Sequence, residues 1–123
     1  MYTPGRFSAE CRFERPAPDC AVIILTGELD ACSAPRIEEE IAAQLSAASP
    51  RVVLDLTDVE FIDSAGIRLV MLVANRATPS NEVVVINPHA RLARRALDIV
   101  GIARIVPTAD ALAELFPEGV ASA

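Results

Sequence analysis

The residues of this 123-residue chain best placed to do chemistry are Asp63-Ser64-Ala65-Gly66, where a hydroxyl follows a carboxylate just as the sequence turns helical in period. Glycine in the first turn of a helix costs about 1 kcal/mol relative to alanine. Something should offset that cost, and a glycine lets another backbone approach closely. Ser64, at the helix start, would lie among free N–H groups able to hold an anion. A phosphate on Ser64 would then be tolerated by the folded domain. A second reading stays open on local sequence alone: Asp63 or Ser64 is an ordinary N-cap and Gly66 serves packing.

Other chemistries find little support. A nucleophilic Ser64 needs a base, and the single histidine, His89, with Asp63 or Asp98 is the one conceivable set. Ile62 stands where a Gly-x-Ser-x-Gly elbow requires its first glycine, so no enzyme and no catalytic residue is expected. Cys11, Cys20 and Cys32 match neither a CxxC nor a zinc-ligand spacing. Reduced thiols are expected, with no metal and no cofactor; a redox role for Cys32 rests on its place beside Gly27-Glu28-Leu29-Asp30 alone.

Charge excludes a further class. The formal charge is −6, and a nucleic-acid partner would require a basic surface to displace counterions from phosphates. Residues 1 to 63 hold twelve Asp and Glu against five Arg, a balance of −7, while residues 64 to 123 hold five against six, a balance of +1. The acidic half ends beside Ser64. Arg91, Arg94 and Arg95 read first as a solvated face. No apolar run approaches the roughly 18 residues that span a bilayer, and the first fifteen residues lack the apolar centre of a secretory signal. No membrane contact is expected, and the cytoplasm is the expected location.

The elements that must position Ser64 follow from the hydropathy pattern. Phe7, Ala9, Cys11 and Phe13 alternate as on an edge strand, and Pro16 to Asp19 is a turn leading into the apolar strand from Ala21. Ser33 should cap a first helix, with Pro35 in its first turn and Ile37, Ile41 and Leu45 on its buried side, ending at Ser49-Pro50. A short strand is expected over Val52 to Leu56, then a connection through Asp63. In the next helix Ile67, Val70, Met71 and Ala74 form the core stripe, leaving Leu69, Leu72 and Val73 beside Arg68 and Arg76. These outlying residues either face a partner or pack on a neighbouring helix. Val83 to Ile86 is a buried strand, Ala90 to Val100 a helix burying Leu92, Ala96 and Leu97, and Gly101 its C-terminal stop. A last strand over Ile102 to Val106 and a helix from Thr108 to about Phe116 complete the pattern.

Strands separated by single helices imply right-handed crossovers. The expected fold is α/β: a small mixed, mostly parallel β-sheet of 4–5 strands with about four helices, mainly on one face. One domain is expected over residues 1–123, with a core of about 8–116 and a flexible C-terminal tail at 117–123. The loop of Gly27 to Asp30 and the segment from Asp55 to Gly66 would converge at the carboxyl edge of that sheet, where open parallel sheets collect functional groups.

The run LDLTDVEFIDSAGIRLV resembles the second half of a STAS domain of the anti-sigma-factor antagonist family, and LTGELDACSAPRIEEEI resembles its first half. The later INPHARLARRALDIVGI fits too, so the resemblance runs from about Cys20 to Phe116. It implies that Ser64, directly after the Asp of the D-S motif, is the phosphoacceptor. It also implies that Asp30 is the acidic residue of the GELD loop and Ser33 the hydroxyl residue opening the first helix. Ala65 departs from relatives with a second Ser or Thr there, which leaves Ser64 the sole hydroxyl of the motif. Ala31-Cys32 replaces bulkier polar residues and puts fine partner specificity in doubt.

The function so implied is partner switching in bacterial transcription regulation. Unphosphorylated, the domain would capture an anti-sigma factor, a serine kinase with a histidine-kinase-like ATPase fold, and free the sigma factor. Phosphorylation of Ser64 by that kinase would end the capture, and a serine phosphatase would reset it. The expected contact residues are Glu28, Asp30, Ser33, Asp63, Ser64, Ala65, Gly66, Arg68 and Leu69. The alternative is a constitutive STAS assembly subunit of a transport or signalling complex, docking without a phosphorylation cycle.

Overall fold

A computed structural model describes residues 9–45 and 50–116. Five strands form one sheet in the order β1-β2-β3-β4-β5, with β1 (Glu10–Ala17) antiparallel to β2 (Cys20–Leu29). The strands β3 (Arg51–Ile62), β4 (Glu82–Ile86) and β5 (Thr108–Ala109) then add in parallel. Three α-helices, α1 (Ala34–Gln44), α2 (Ser64–Ala74) and α3 (Arg91–Val100), join the parallel strands. Right-handed crossovers that always step the same way along a sheet place their helices on the same face. The larger core accordingly joins one sheet face (Ile23, Leu25, Leu54, Val85) to Ile37 and Ile41 of α1, Val70 and Val73 of α2, and Ala93 and Leu97 of α3. The opposite face carries a smaller cluster of Cys20, Val22, Ile24, Val53 and Ile86, covered in part by Leu112, Leu115 and Phe116.

The expected edge hairpin is present: Ala9 is buried, and Cys11 and Phe13 pack against the larger core. Phe7 and residues 46–49 lie outside the described residues; α1 ends at Gln44 with Leu45 extended as its C-cap, short of the stop expected at Ser49-Pro50. Two strands run further than their apolar stretches suggested. β2 continues through Gly27-Glu28-Leu29, and β3 continues through the segment read as a connection, pairing Leu29 with Ile62. Two register shifts, between Ile24 and Thr26 and between Gly27 and Glu28, let both strands extend together. The carboxyl ends of β2 and β3 therefore lie side by side, and the segments leaving them must be neighbours.

The distal part differs most from expectation. Ile102–Arg104 is a 3-10 turn rather than a strand, and the last strand is only Thr108–Ala109, so Thr108 is a sheet residue and not a cap. The final helix is reduced to a 3-10 turn at Leu112–Glu114. The described residues thus hold three α-helices where about four were expected. Gly101, at φ 71°, takes the left-handed conformation that ends α3 and redirects the chain at once, leaving no room for a strand to start at Ile102.

Candidate functional site

The adjoining ends of β2 and β3 deliver two tight turns to one place. Leu29 O accepts from Asp63 N at 3.1 Å, tying the start of α2 to the end of β2. Asp63 is the N-cap of α2 in extended conformation, and its Oδ1 accepts from the N–H of Ala65 at 2.8 Å and of Gly66 at 3.1 Å. Its Oδ2 reaches across and accepts from Ala31 N at 3.2 Å, so one carboxylate holds both turns. Gly66 explains its own presence. A Cβ there would meet Leu29 O at 2.4 Å and Leu29 Cβ at 2.7 Å, so the helix can approach the strand end this closely only without a side chain.

The first turn is closed by Asp30 and Ser33. Asp30 Oδ1 accepts from the N–H groups of Cys32 and Ser33, both at 3.0 Å, and Asp30 O accepts from Ala34 N at 2.8 Å. Ser33 occupies the N-cap position of α1 but makes no side-chain cap. Its hydroxyl donates to Glu28 O at 2.8 Å and accepts from Asp30 N at 3.1 Å. Being 2 % exposed, Ser33 shapes the turn from within and offers a partner no surface, contrary to the capping and contact roles expected of it.

Ser64, the first residue of α2, is exposed, and its hydroxyl has no hydrogen-bond partner among the described residues. It borders an open hollow of about 400 Å³ together with Ala31, Ala34, Pro35, Glu38, Ala65, Arg68 and Leu69. A second hollow of about 200 Å³ shares Glu38 and Leu69 and continues between α1 and α2 past Ile41, Leu72 and Val73 to Arg76. The result is one groove, apolar along its floor, with Ser64 at its mouth and Glu38, Arg68 and Arg76 on its rims.

Several expected site residues change role. The buried stripe of α2 is Gly66, Leu69, Val70, Val73 and Ala74, with Ile67 and Met71 half-buried. The expected stripe was rotated, because a glycine without a side chain was not counted as an inward position. Leu69 is consequently 2 % exposed, a floor of the groove rather than a protruding contact. Gly66 is likewise buried, while Glu28, Asp30, Asp63 and Ala65 are half-buried and Arg68 is exposed. On α3, Ala93 takes the inward place expected of Leu92, which is exposed. Ala31, Ala34, Pro35 and Glu38 were missed as site residues. For Ala31, Ala34 and Pro35 the signal was compact side chains around the start of α1, a composition that keeps a groove open; Glu38 carried none.

Two of the N–H groups expected to receive an anion on Ser64 are occupied: Asp63 already accepts from Ala65 and Gly66. A phosphate on Ser64 would project into the groove mouth, with Arg68 one turn along the same helix and Glu38 across from it. His89 is elsewhere. It borders a different hollow with Asp55, Thr57 and Asp58, and its Nε2 lies 3.2 Å from Asp110 O. Asp110, at the end of β5, accepts from Asn87 Nδ2 at 3.1 Å and Arg94 Nη1 at 2.8 Å, and these contacts hold its carboxyl below its ordinary range, the Asn87 bond contributing most. Of the thiols, Cys11 is pushed up to about 11, chiefly by burial, and Cys20 is also raised by burial, whereas Cys32 is exposed.

A β-sheet of this order with helices on one face, and a serine at the helix start after β3, define a class that comparison with known proteins identifies. Residues 13–107 match the family model described as "Mlab, STAS domain". The chain belongs to the STAS domain family. It is 36% identical over 92 residues to the "Putative anti-sigma factor antagonist BtrV" of Bordetella bronchiseptica, covering 72% of this chain and 77% of that protein. Among solved structures, an anti-sigma factor antagonist from Mycobacterium paratuberculosis is similar in fold with a TM-score of 0.80 at 23% identity, covering 96% of this chain and 97% of the other. The anti-sigma factor antagonist SpoIIAA in its unphosphorylated form is similar with a TM-score of 0.68 at 22% identity, covering 89% and 95%.

Proposed function

We propose that this chain is an anti-sigma-factor antagonist, a non-enzymatic switch whose unphosphorylated form captures an anti-sigma factor/serine kinase of histidine-kinase-like ATPase fold. Capture frees the sigma factor; phosphorylation of Ser64 by the captured kinase ends it, and a serine phosphatase restores it. The observation that carries this reading is Ser64 itself, an exposed hydroxyl with no hydrogen-bond partner among the described residues, at the mouth of the α1–α2 groove. The name of the Bordetella relative supports the same reading.

Electrostatics favours release on phosphorylation. Phosphoserine carries about −1.5 to −2 charges at neutral pH. At Ser64 this charge adds to Asp63 and Glu38, while the N–H groups of Ala65 and Gly66 are already engaged by Asp63. Unit charges about 4 Å apart interact by about 4 kcal/mol at an effective dielectric of 20, and about 1.4 kcal/mol is tenfold in affinity. Arg68 neutralises part of the added charge through an i,i+4 pair worth only about 0.2–0.5 kcal/mol. A partner seated over the groove mouth must desolvate the remainder, which converts capture into release with no refolding.

The experiment is a binding titration of candidate anti-sigma kinases from the same cell against the wild type, Ser64→Ala and Ser64→Glu. The proposal expects Ser64→Ala to bind as tightly as wild type and Ser64→Glu to lose at least tenfold. Equal, stable binding by all three would support the constitutive assembly subunit instead.

A further inference from the structure

Helix α3 carries more apolar surface than the sheet uses. At about 100° per residue, Ile99, Leu92, Ala96, Val100, Ala93 and Leu97 form one unbroken apolar arc of roughly 160°. Only Ala93 and Leu97, at one end of the arc, are buried. At the other end Leu92 is 68% exposed and Ile99 73%; Val100 in mid-arc is 42% exposed, and Ile105 beyond the following 3-10 turn is 43% exposed. Scattered exposed hydrophobics need no explanation, but i, i+4, i+7 and i+8 positions on one helix are contiguous.

The rim of this surface is mostly basic. Arg91, Arg95 and Arg104 are exposed and form no ion pair among the described residues, while Arg94 is bound to Asp110. Asp98 is the single carboxylate of α3. The patch is therefore basic on a molecule whose formal charge is −6. None of its residues borders the groove at Ser64.

We propose that this face of α3 is a second protein-docking surface, and that its occupant is an acidic amphipathic helix of another protein, with an apolar ridge over Leu92 and Ile99 and carboxylates against Arg91, Arg95 and Arg104. Two α3 faces of this chain brought together would oppose arginine to arginine with only Asp98 to offset them. The chain's own acidic helix α1 presents Glu38, Glu39 and Glu40 with only Ala42 and Ala43 beside them, too little apolar surface to cover Leu92 and Ile99. An anionic bilayer is opposed by the net negative charge of the whole domain. The surface would let one protein hold the domain while the Ser64 groove exchanges another, and it stands or falls independently of that exchange.

The test uses the full chain, isotopically labelled, titrated with a synthetic helix bearing leucines at i, i+3, i+4 and i+7 flanked by glutamates. Its scrambled isomer and its glutamate-to-lysine analogue serve as controls. Saturable amide shifts confined to α3 and Ile102–Arg104 are expected with the acidic helix, with at least a tenfold loss in Leu92→Ser/Ile99→Ser. Arg91→Glu/Arg95→Glu should reverse the preference toward the lysine analogue. Both variants change exposed side chains, and retained amide dispersion confirms their fold. Absent shifts, equal binding of the scramble, or shifts at the α1–α2 groove would overturn the proposal. So would a dimer by sedimentation, or binding to phosphatidylglycerol vesicles, that Leu92→Ser/Ile99→Ser abolishes.

Discussion

Asp63 does more at this site than any other single residue, since it accepts from Ala65, Gly66 and Ala31 and so fixes the distance between two turns. Replacing it by alanine leaves three N–H groups without that acceptor. Loss of an N-cap carboxylate typically costs about 1 kcal/mol and up to about 2. Asp63→Ala is therefore expected to lower the unfolding free energy by about 1–2 kcal/mol in a denaturant titration. Asp63→Asn retains an acceptor oxygen and should lose less. A loss no greater in Asp63→Ala than in Asp63→Asn would show that the clamp contributes little. The importance of the Asp63-Ser64 pair was legible from residue type alone. That Asp63 would take two of the N–H groups assigned to an anion on Ser64 was not, because the choice between two adjacent acceptors depends on the extended conformation of Asp63.

At the scale of elements, strand and helix identity followed wherever a run was apolar and regular: β1 from its alternation, β2 and β4 from their apolar runs, and α1 and α2 from the i,i+4 pattern, though β2 runs longer and α1 stops sooner than those runs suggested. Errors arose where tertiary contacts decide. The extension of β3 through Thr57-Asp58-Val59-Glu60 rests on pairing with β2, which no local pattern announces. The rotation of the α2 stripe comes from Gly66, whose inward position is visible only beside Leu29. Gly66→Ala gains about 1 kcal/mol of helix propensity, but must displace backbone at 2.4 Å, and overpacking of this kind costs about 1–3 kcal/mol or more. A net destabilisation is expected, with amide shifts at Leu29 and Ala31 in the variant. Equal or greater stability would mean that α2 can shift outward without cost.

The distal edge of the sheet depends on a polar junction in which Asp110 joins Asn87 of the β4 end to Arg94 of α3. Its carboxyl is held below the ordinary range in the folded chain, so its contribution is present above the unfolded value, near 3.9, and is lost as pH falls through the lower folded value. Asp110→Asn should therefore have a lower Tm than wild type at neutral pH. The difference should vanish in acid. A difference independent of pH would assign the effect to shape rather than charge. Sequence gave no hint of this junction, because Asp110 and Asn87 are brought together only by the short β4–β5 pairing.

For the whole molecule, sequential strand order with helices on one face brings the β2 and β3 ends together and leaves the α1–α2 groove open to a partner. The sheet and its helical layer were readable from the order of elements, and the family from the ordered agreement of its motifs. The groove was not, since Ala31, Ala34 and Pro35 matter for what they leave unfilled. The same arrangement separates His89 from Ser64, which border different hollows.

The central claim concerns what happens to Ser64 when a kinase binds. The most direct measurement is to incubate the chain with ATP and candidate anti-sigma kinases, then locate added phosphate by intact mass and peptide mapping, with Ser64→Ala alongside. One phosphate on Ser64, absent from Ser64→Ala and accompanied by release of the kinase, is the predicted result. Phosphate on another residue, or a stable complex that never transfers phosphate, would contradict the switch.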